Sequence, residues 1–122
     1  MRRAGFTLIE LLMVIVIIGF LASIAIPKFA NTKEKAYLAM MKSDLRNLVT
    51  AEEAYFSESI AYTTNLGTAY TTSSGVVGPT ITLTVGGFTA VVRHSASSRT
   101  CAVFVGQTAI APALKEGEPR CN

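Results

Sequence analysis

The sequence predicts an α+β fold, in which one long N-terminal helix packs against a small antiparallel sheet of three to four strands. Three observations predict it. An apolar run extends from Phe6 to Ile26, a three-and-four spacing of apolar residues continues to Tyr55, and a strict alternation begins at Thr80. A chain of 122 residues and 13.0 kDa holds one small domain plus an anchor.

The apolar run covers about 21 residues, roughly 30 Å of helix, enough to cross one hydrocarbon core. Arg2 and Arg3 precede it, so the positive-inside rule keeps the start cytoplasmic and sends the rest across. Ala22-Ser23-Ile24-Ala25 offers a passable secretory cleavage site, but cutting there would release a soluble domain and leave Glu10 without a purpose. A charged side chain at membrane depth costs roughly 2.5–3.5 kcal/mol on insertion scales. Something must offset Glu10, and a partner subunit is the expected source.

Pro27 removes one backbone N–H, and its ring crowds the carbonyl of residue 23. With Gly19 it marks a weak stretch where the helix is expected to kink or melt. Beyond it Tyr37, Met41, Leu45, Leu48, Ala51 and Tyr55 form one helical face, and Lys33, Lys35, Lys42, Arg46, Glu52 and Glu53 occupy much of the rest. The helix is expected from Phe6 to about Ser57, roughly 80 Å. Its front half has no apolar partner within its own chain, so it requires lipid or further copies of itself.

Residues 59–79 are rich in Ser, Thr, Gly and Tyr and read as a connecting loop packed over the helix, with a short strand as an alternative for part of it. In Thr80–Val85 the residues Ile81, Leu83 and Val85 face one way and the threonines the other. Gly86-Gly87 reads as a two-residue hairpin turn, followed by strands at Phe88–Arg93 and Thr100–Val105. The tail from Gly106 to Asn122 is irregular and holds Pro112 and Pro119.

Cys101 and Cys121 are the only cysteines. In an exported domain a disulfide is the default, with two buried free thiols as the alternative. One histidine and two cysteines without a third ligand make no metal site. No cofactor is implied. His94, after Arg93 at a strand end, reads as a solvated side chain, and no nucleophile–base–acid set stands out, so the chain is not expected to be an enzyme. The net charge is +3, but from Phe6 onward nine basic side chains face eight acidic ones, a balance that argues against nucleic-acid binding by bulk electrostatics. Arg93, Arg99, Lys115 and Arg120 would form a basic patch only if the fold brought them together. Phe6, Phe29, Tyr37, Phe56 and Tyr62 read as packing residues.

Gly5-Phe6-Thr7-Leu8-Ile9-Glu10-Leu11-Leu12 resembles the class III signal of type IV pilins and of the related pseudopilins of type II secretion. The resemblance continues through Pro27 and Phe29 and weakly to about Ser57. It implies the pilin fold, cleavage between Gly5 and Phe6 by a membrane prepilin peptidase, and N-methylation of Phe6. It also implies an assembly contact between the Phe6 amine of one subunit and Glu10 of another. The implied layout is a leader at 1–5, a transmembrane and polymerisation half at 6–27, an amphipathic half at 28–58, and a meander with a disulfide-closed loop at 80–122. The implied partners are identical copies, the peptidase, an assembly platform, and the inner membrane before assembly. The precursor would keep its C-terminal domain outside the cytoplasm and reach the cell surface as a filament. Major pseudopilins usually build a calcium site from aspartates. This chain has only Glu116 and Glu118 as acids past Ser59, which turns the expectation toward an adhesive or motile pilus filament. A type II secretion pseudopilin, or a minor pilin of a secretion or DNA-uptake machine, is the alternative.

Overall fold

The computed structural model describes residue 1 and residues 5–122. Arg2 and Arg3, the basic start of the sequence reading, lie outside the described residues. The chain divides into two compact units, Met1–Glu34 and Lys35–Asn122.

Helix α1 runs from Leu8 to Ser59 and continues through Pro27. Strong helix formers dominate it, and β-branched residues cluster only in the apolar run. In the first unit the large apolar side chains from Phe6 to Phe29 are all exposed, ranging from 49% at Val14 to 88% at Phe6. Such a stripe on every side of a helix fits lipid or packed copies rather than water.

In the second unit α1 buries Met41, Asp44, Leu45, Leu48 and Glu52. The buried face is therefore turned from the one the apolar spacing predicts. Tyr55 is exposed and Glu52 is fully buried. Against this face lies a four-stranded antiparallel sheet in the order β1-β2-β3-β4, with β1 at Val76–Thr84, β2 at Gly87–His94, β3 at Thr100–Val105 and β4 at Arg120–Cys121. A four-stranded meander on one long helix bears out the predicted α+β class. Phe88, Ala90 and Val92 of β2 alternate toward the helix and meet Cys101, Val103 and Val105 of β3 in one core with Met41, Leu45 and Leu48. On the outer face Ala102 and Phe104 bury Ala113 of the tail, with Val91 and Ile110 beside them.

Two details differ from the sequence reading. β1 begins at Val76, inside the stretch read as a loop with a short strand as the alternative, and its register shifts between Val77 and Thr80 at Gly78-Pro79. That break hides the alternation of the first residues. The hairpin turn is Val85-Gly86, since Gly87 already pairs with Thr84. Gly86 takes φ 73°, and a Cβ on Gly87 would collide with the Val105 carbonyl, so each glycine is needed for a separate reason.

Cys101 and Cys121 are cross-strand partners and form a disulfide, which joins β4 to β3. Backbone and side chain of Asn122 extend the join, with its N–H donating to the Thr100 carbonyl at 3.2 Å and its Oδ1 accepting from Thr100 N–H at 2.9 Å.

Candidate functional site

The first turn of α1 carries the residues the sequence singles out. Gly5, Phe6 and Thr7 precede the helix and are exposed. Thr7 is the cap and Glu10 the third helical residue. The Thr7 N–H donates to Glu10 Oε2 at 2.8 Å, the Thr7 hydroxyl donates to the same oxygen at 2.6 Å, and the Glu10 N–H returns to Thr7 Oγ1 at 3.3 Å. This is a capping box, Thr-x-x-Glu, in which each side chain satisfies a backbone donor of the other. The sequence displays the signature, yet attention to Glu10 as a membrane charge obscures it. Glu10 thus has hydrogen-bond donors within its own chain at the helix start. The carboxylate also sits at the positive end of the helix dipole.

Phe6 and Glu10 therefore lie on adjoining parts of one helix start. Gly19 meets nothing where a Cβ would stand, so an alanine there would be accommodated. Pro27 lies inside the continuous helix.

The second unit holds a different arrangement that sequence reasoning missed. Two buried carboxylates of α1 fasten the connecting segment. Asp44 accepts from the Ser73 N–H and the Ser73 hydroxyl, both at 2.8 Å, while the Tyr70 hydroxyl donates to the Asp44 carbonyl at 3.1 Å. Glu52 Oε2 accepts from the Thr63 N–H at 3.0 Å, and its other oxygen has no partner among the described residues. Burial raises the pKa of Glu52 against the opposing effect of that bond. The neighbouring Glu53 is exposed and accepts from the Tyr62 hydroxyl at 2.9 Å. Burial first, and the Glu53 bond second, push the Tyr62 phenol up to about 12; burial and then the Asp44 charge do the same to Tyr70. The available signal was the register: Asp44 and Glu52 fall on the arc of Met41, Leu45 and Leu48, opposite a segment rich in hydroxyls.

His94 is buried, not solvated, with 7% exposure. It stacks on Tyr37 at 4.1 Å between ring centroids, and its Nδ1 accepts from the Ala96 N–H at 3.1 Å. The period of two along Phe88, Ala90 and Val92 puts His94 on the inner face, which explains its position. Tyr62 packs between Phe56 at 4.7 Å and Phe88 at 5.1 Å, an arrangement of ordinary aromatic packing. Of the four basic residues considered as a patch, Arg93 and Arg120 are exposed on the outer sheet face, and Arg99 bonds the Asn122 carbonyl at 2.6 Å.

Residues 1–26 match the family described as the prokaryotic N-terminal methylation motif. Over 61 residues the chain is 46% identical to the type IV major pilin protein PilA of Myxococcus xanthus, covering 50% of this chain and 28% of that protein. Over 61 residues it is 33% identical to type II secretion system core protein G of Pseudomonas aeruginosa, covering 50% of this chain and 43% of that one. Core protein G of Escherichia coli is 43% identical over 67 residues, with 54% and 46% covered. The chain thus spans less than half the length of each of these curated relatives. The relatives are pilins and pseudopilins, not enzymes. The methylation motif stands in register with an apolar helix long enough to cross a membrane, a combination that fits membrane anchoring, and the N-terminal half of this chain is homologous to the major pilin PilA and to core protein G of type II secretion.

Proposed function

We propose that the chain is a major structural subunit of a type IV pilus, polymerising through residues 6–27. The observation that carries this reading is the methylation motif placed against an apolar helix with Glu10 in its first turn. Cleavage between Gly5 and Phe6 by a prepilin peptidase frees an amine, which is then methylated. In the membrane the Thr7–Glu10 box holds the carboxylate. On assembly the Phe6 amine of a neighbour approaches Glu10, so two charges relieve each other's desolvation and fix the axial register.

Moving from lipid into a filament brings no hydrophobic gain, since lipid tails are as apolar as leucine. Outside the membrane, however, each of these side chains would cost about 1.5–3 kcal/mol if left in water. Neighbouring helices must therefore take the place of lipid as the subunit leaves the bilayer, which the assembly platform would couple to extraction. The stretch around Gly19 and Pro27 is the place where the helix would yield in the filament. The Lys35–Asn122 unit would then be displayed at the cell surface.

A second reading, a pseudopilin of type II secretion, draws on the identity with core protein G at levels close to that with PilA. The scarcity of acids past Ser59 and the disulfide favour the pilus reading. Mass spectrometry of the surface fraction sheared from cells separates the two. The pilus reading expects abundant subunit beginning at methylated Phe6 in that fraction; processed subunit confined to the inner membrane would favour the pseudopilin.

A further inference from the structure

Strand β1 is an open edge of the sheet: in the order β1-β2-β3-β4 it pairs with β2 alone. Its second half, Thr80–Thr84, pairs with β2 without interruption and ends in the two-residue turn Val85-Gly86. A two-residue turn makes its flanking residues, Thr84 and Gly87, a pair that exchanges both backbone bonds, and the pairs alternate from there. Thr84, Thr82 and Thr80 therefore direct their N–H and C=O groups to β2, while those of Leu83 and Ile81 point away from it. Among the described residues no hydrogen bond reaches the outward side of Thr80–Thr84. Thr82 is exposed, and Leu83 is half-exposed. Sheet edges are commonly guarded by charge, proline or a bulge. Here Pro79 and the register shift beside it guard only the first half of the strand. From Ser59 to Val92 the chain carries no charged side chain, so no charge on β1 or on the connecting segment opposes a strand laid along Thr80–Thr84.

We propose that this edge is a docking surface for the same edge of a second copy, the two β1 strands pairing antiparallel about a two-fold axis through Thr82. With Thr82 facing Thr82, Ile81 of each copy faces Leu83 of the other, and these are the residues whose backbone groups point outward. Each such pair exchanges both of its N–H···O=C bonds. A slip of one residue sets outward groups against groups already bonded to β2. A slip of two brings in Pro79, which has no N–H, or Val85 of the turn. The side chains agree with this register: Ile81 and Leu83 meet on one face, and threonine meets threonine on the other. Such a contact is isologous and closes on itself. It joins two four-stranded sheets edge to edge and sets the α1 segments on their faces running in opposite directions. Under the polymer reading all copies in one filament run alike, so the contact lies between two filaments of opposite sense, side by side. The pairing itself does not depend on that reading; its placement between filaments does. One contact of this size is weak, and a row of them along two filaments adds up.

The test begins with the full chain purified in detergent. Thr82→Cys sets two thiols opposite each other across the axis. Mild oxidation should give a dimer linked through residue 82, about ten-fold more than Thr108→Cys gives at an exposed position off the edge. Adding Leu83→Pro removes an outward N–H while leaving the bonds to β2 in place, and should cut that dimer roughly ten-fold. In sheared filaments viewed by electron microscopy, Thr82→Lys and Thr82→Glu should each abolish side-by-side pairs, because like charges then face each other. Mixing the two kinds of filament should restore the pairs. A dimer no more abundant from Thr82→Cys than from Thr108→Cys, or one that persists in full with Leu83→Pro, would overturn the edge pairing and leave the polymer reading intact. Filament pairs unchanged by Thr82→Lys would overturn its placement between filaments. A linked dimer from a chain that forms no filaments would uphold the pairing and overturn the polymer reading.

Discussion

Glu52 is fully buried, and one of its oxygens meets no donor among the described residues. Its pKa is raised, so the folded state binds a proton more readily than the unfolded chain does. The stability this gives is fully present below the ordinary carboxylate pKa of 4.5 and is lost as pH rises through the higher folded value. At neutral pH the buried charge is therefore a burden. Glu52→Gln removes the charge and keeps an acceptor for the Thr63 N–H. It should raise stability at neutral pH by about 1 kcal/mol, or about 5 °C in Tm, and leave it unchanged at pH 4. Thermal melts of the purified chain in detergent at both pH values check this; a Tm lowered at neutral pH would count against it. Asp44 is the opposite case, since both of its oxygens are engaged by Ser73. Asp44→Ala leaves two donors without an acceptor and should cost about 3 kcal/mol, read as a lowered unfolding midpoint in urea.

At the scale of elements, the connecting segment is fastened to α1 by side-chain bonds as well as by apolar packing of Tyr62, Leu66 and Tyr70, and the tail is fastened to β3 by the disulfide and Asn122. Cys101→Ser should destabilise the domain by roughly 2–5 kcal/mol, an effect that reductant should reproduce in the unaltered chain. Equal melting temperatures with and without reductant would contradict it. The long helix, the two main hairpins and the disulfide were legible in the sequence because each rests on a local pattern: an apolar run, a period of two, a pair of cysteines. The first residues of β1 were not, because Gly78-Pro79 interrupts the alternation with a register shift. Of the buried face of α1, Met41, Leu45 and Leu48 were legible from the helical spacing, but Asp44 and Glu52 were not. Two carboxylates sit in it, and a reading that sorts residues by polarity assigns them to solvent. Their partners come from a segment far along the chain, which no helical period reveals. His94 was misread for the same reason, although the strand period placed it inward. At the helix start the glycine, phenylalanine and glutamate were legible by register, whereas the capping bond to Thr7 was overlooked.

At the scale of the whole molecule, the two units answer to different environments. Residues 35–122 close a core of their own, while the apolar side chains of the first unit remain exposed. Such apolar side chains require cover by lipid or protein, and under the proposed reading further copies supply it in a filament. Glu10→Ala should leave the subunit in the membrane and sharply reduce or misregister assembly, as judged by electron microscopy of sheared material. The two bonds that Thr7 donates to the Glu10 carboxylate would be lost as well, while the backbone N–H of residue 10 still donates to Thr7 Oγ1, at a cost of about 1 kcal/mol to the helix start, too little to empty the membrane pool. The most direct measurement is electron cryo-microscopy of the sheared filaments at side-chain resolution. The expected result is a core of parallel helices in which Leu8 to Phe29 are buried and each Glu10 lies beside the methylated Phe6 amine of a neighbour. Filaments in which these side chains face solvent, or in which Glu10 stays on its own Thr7 with no neighbouring amine, would contradict polymerisation through the N-terminal helix by charge pairing.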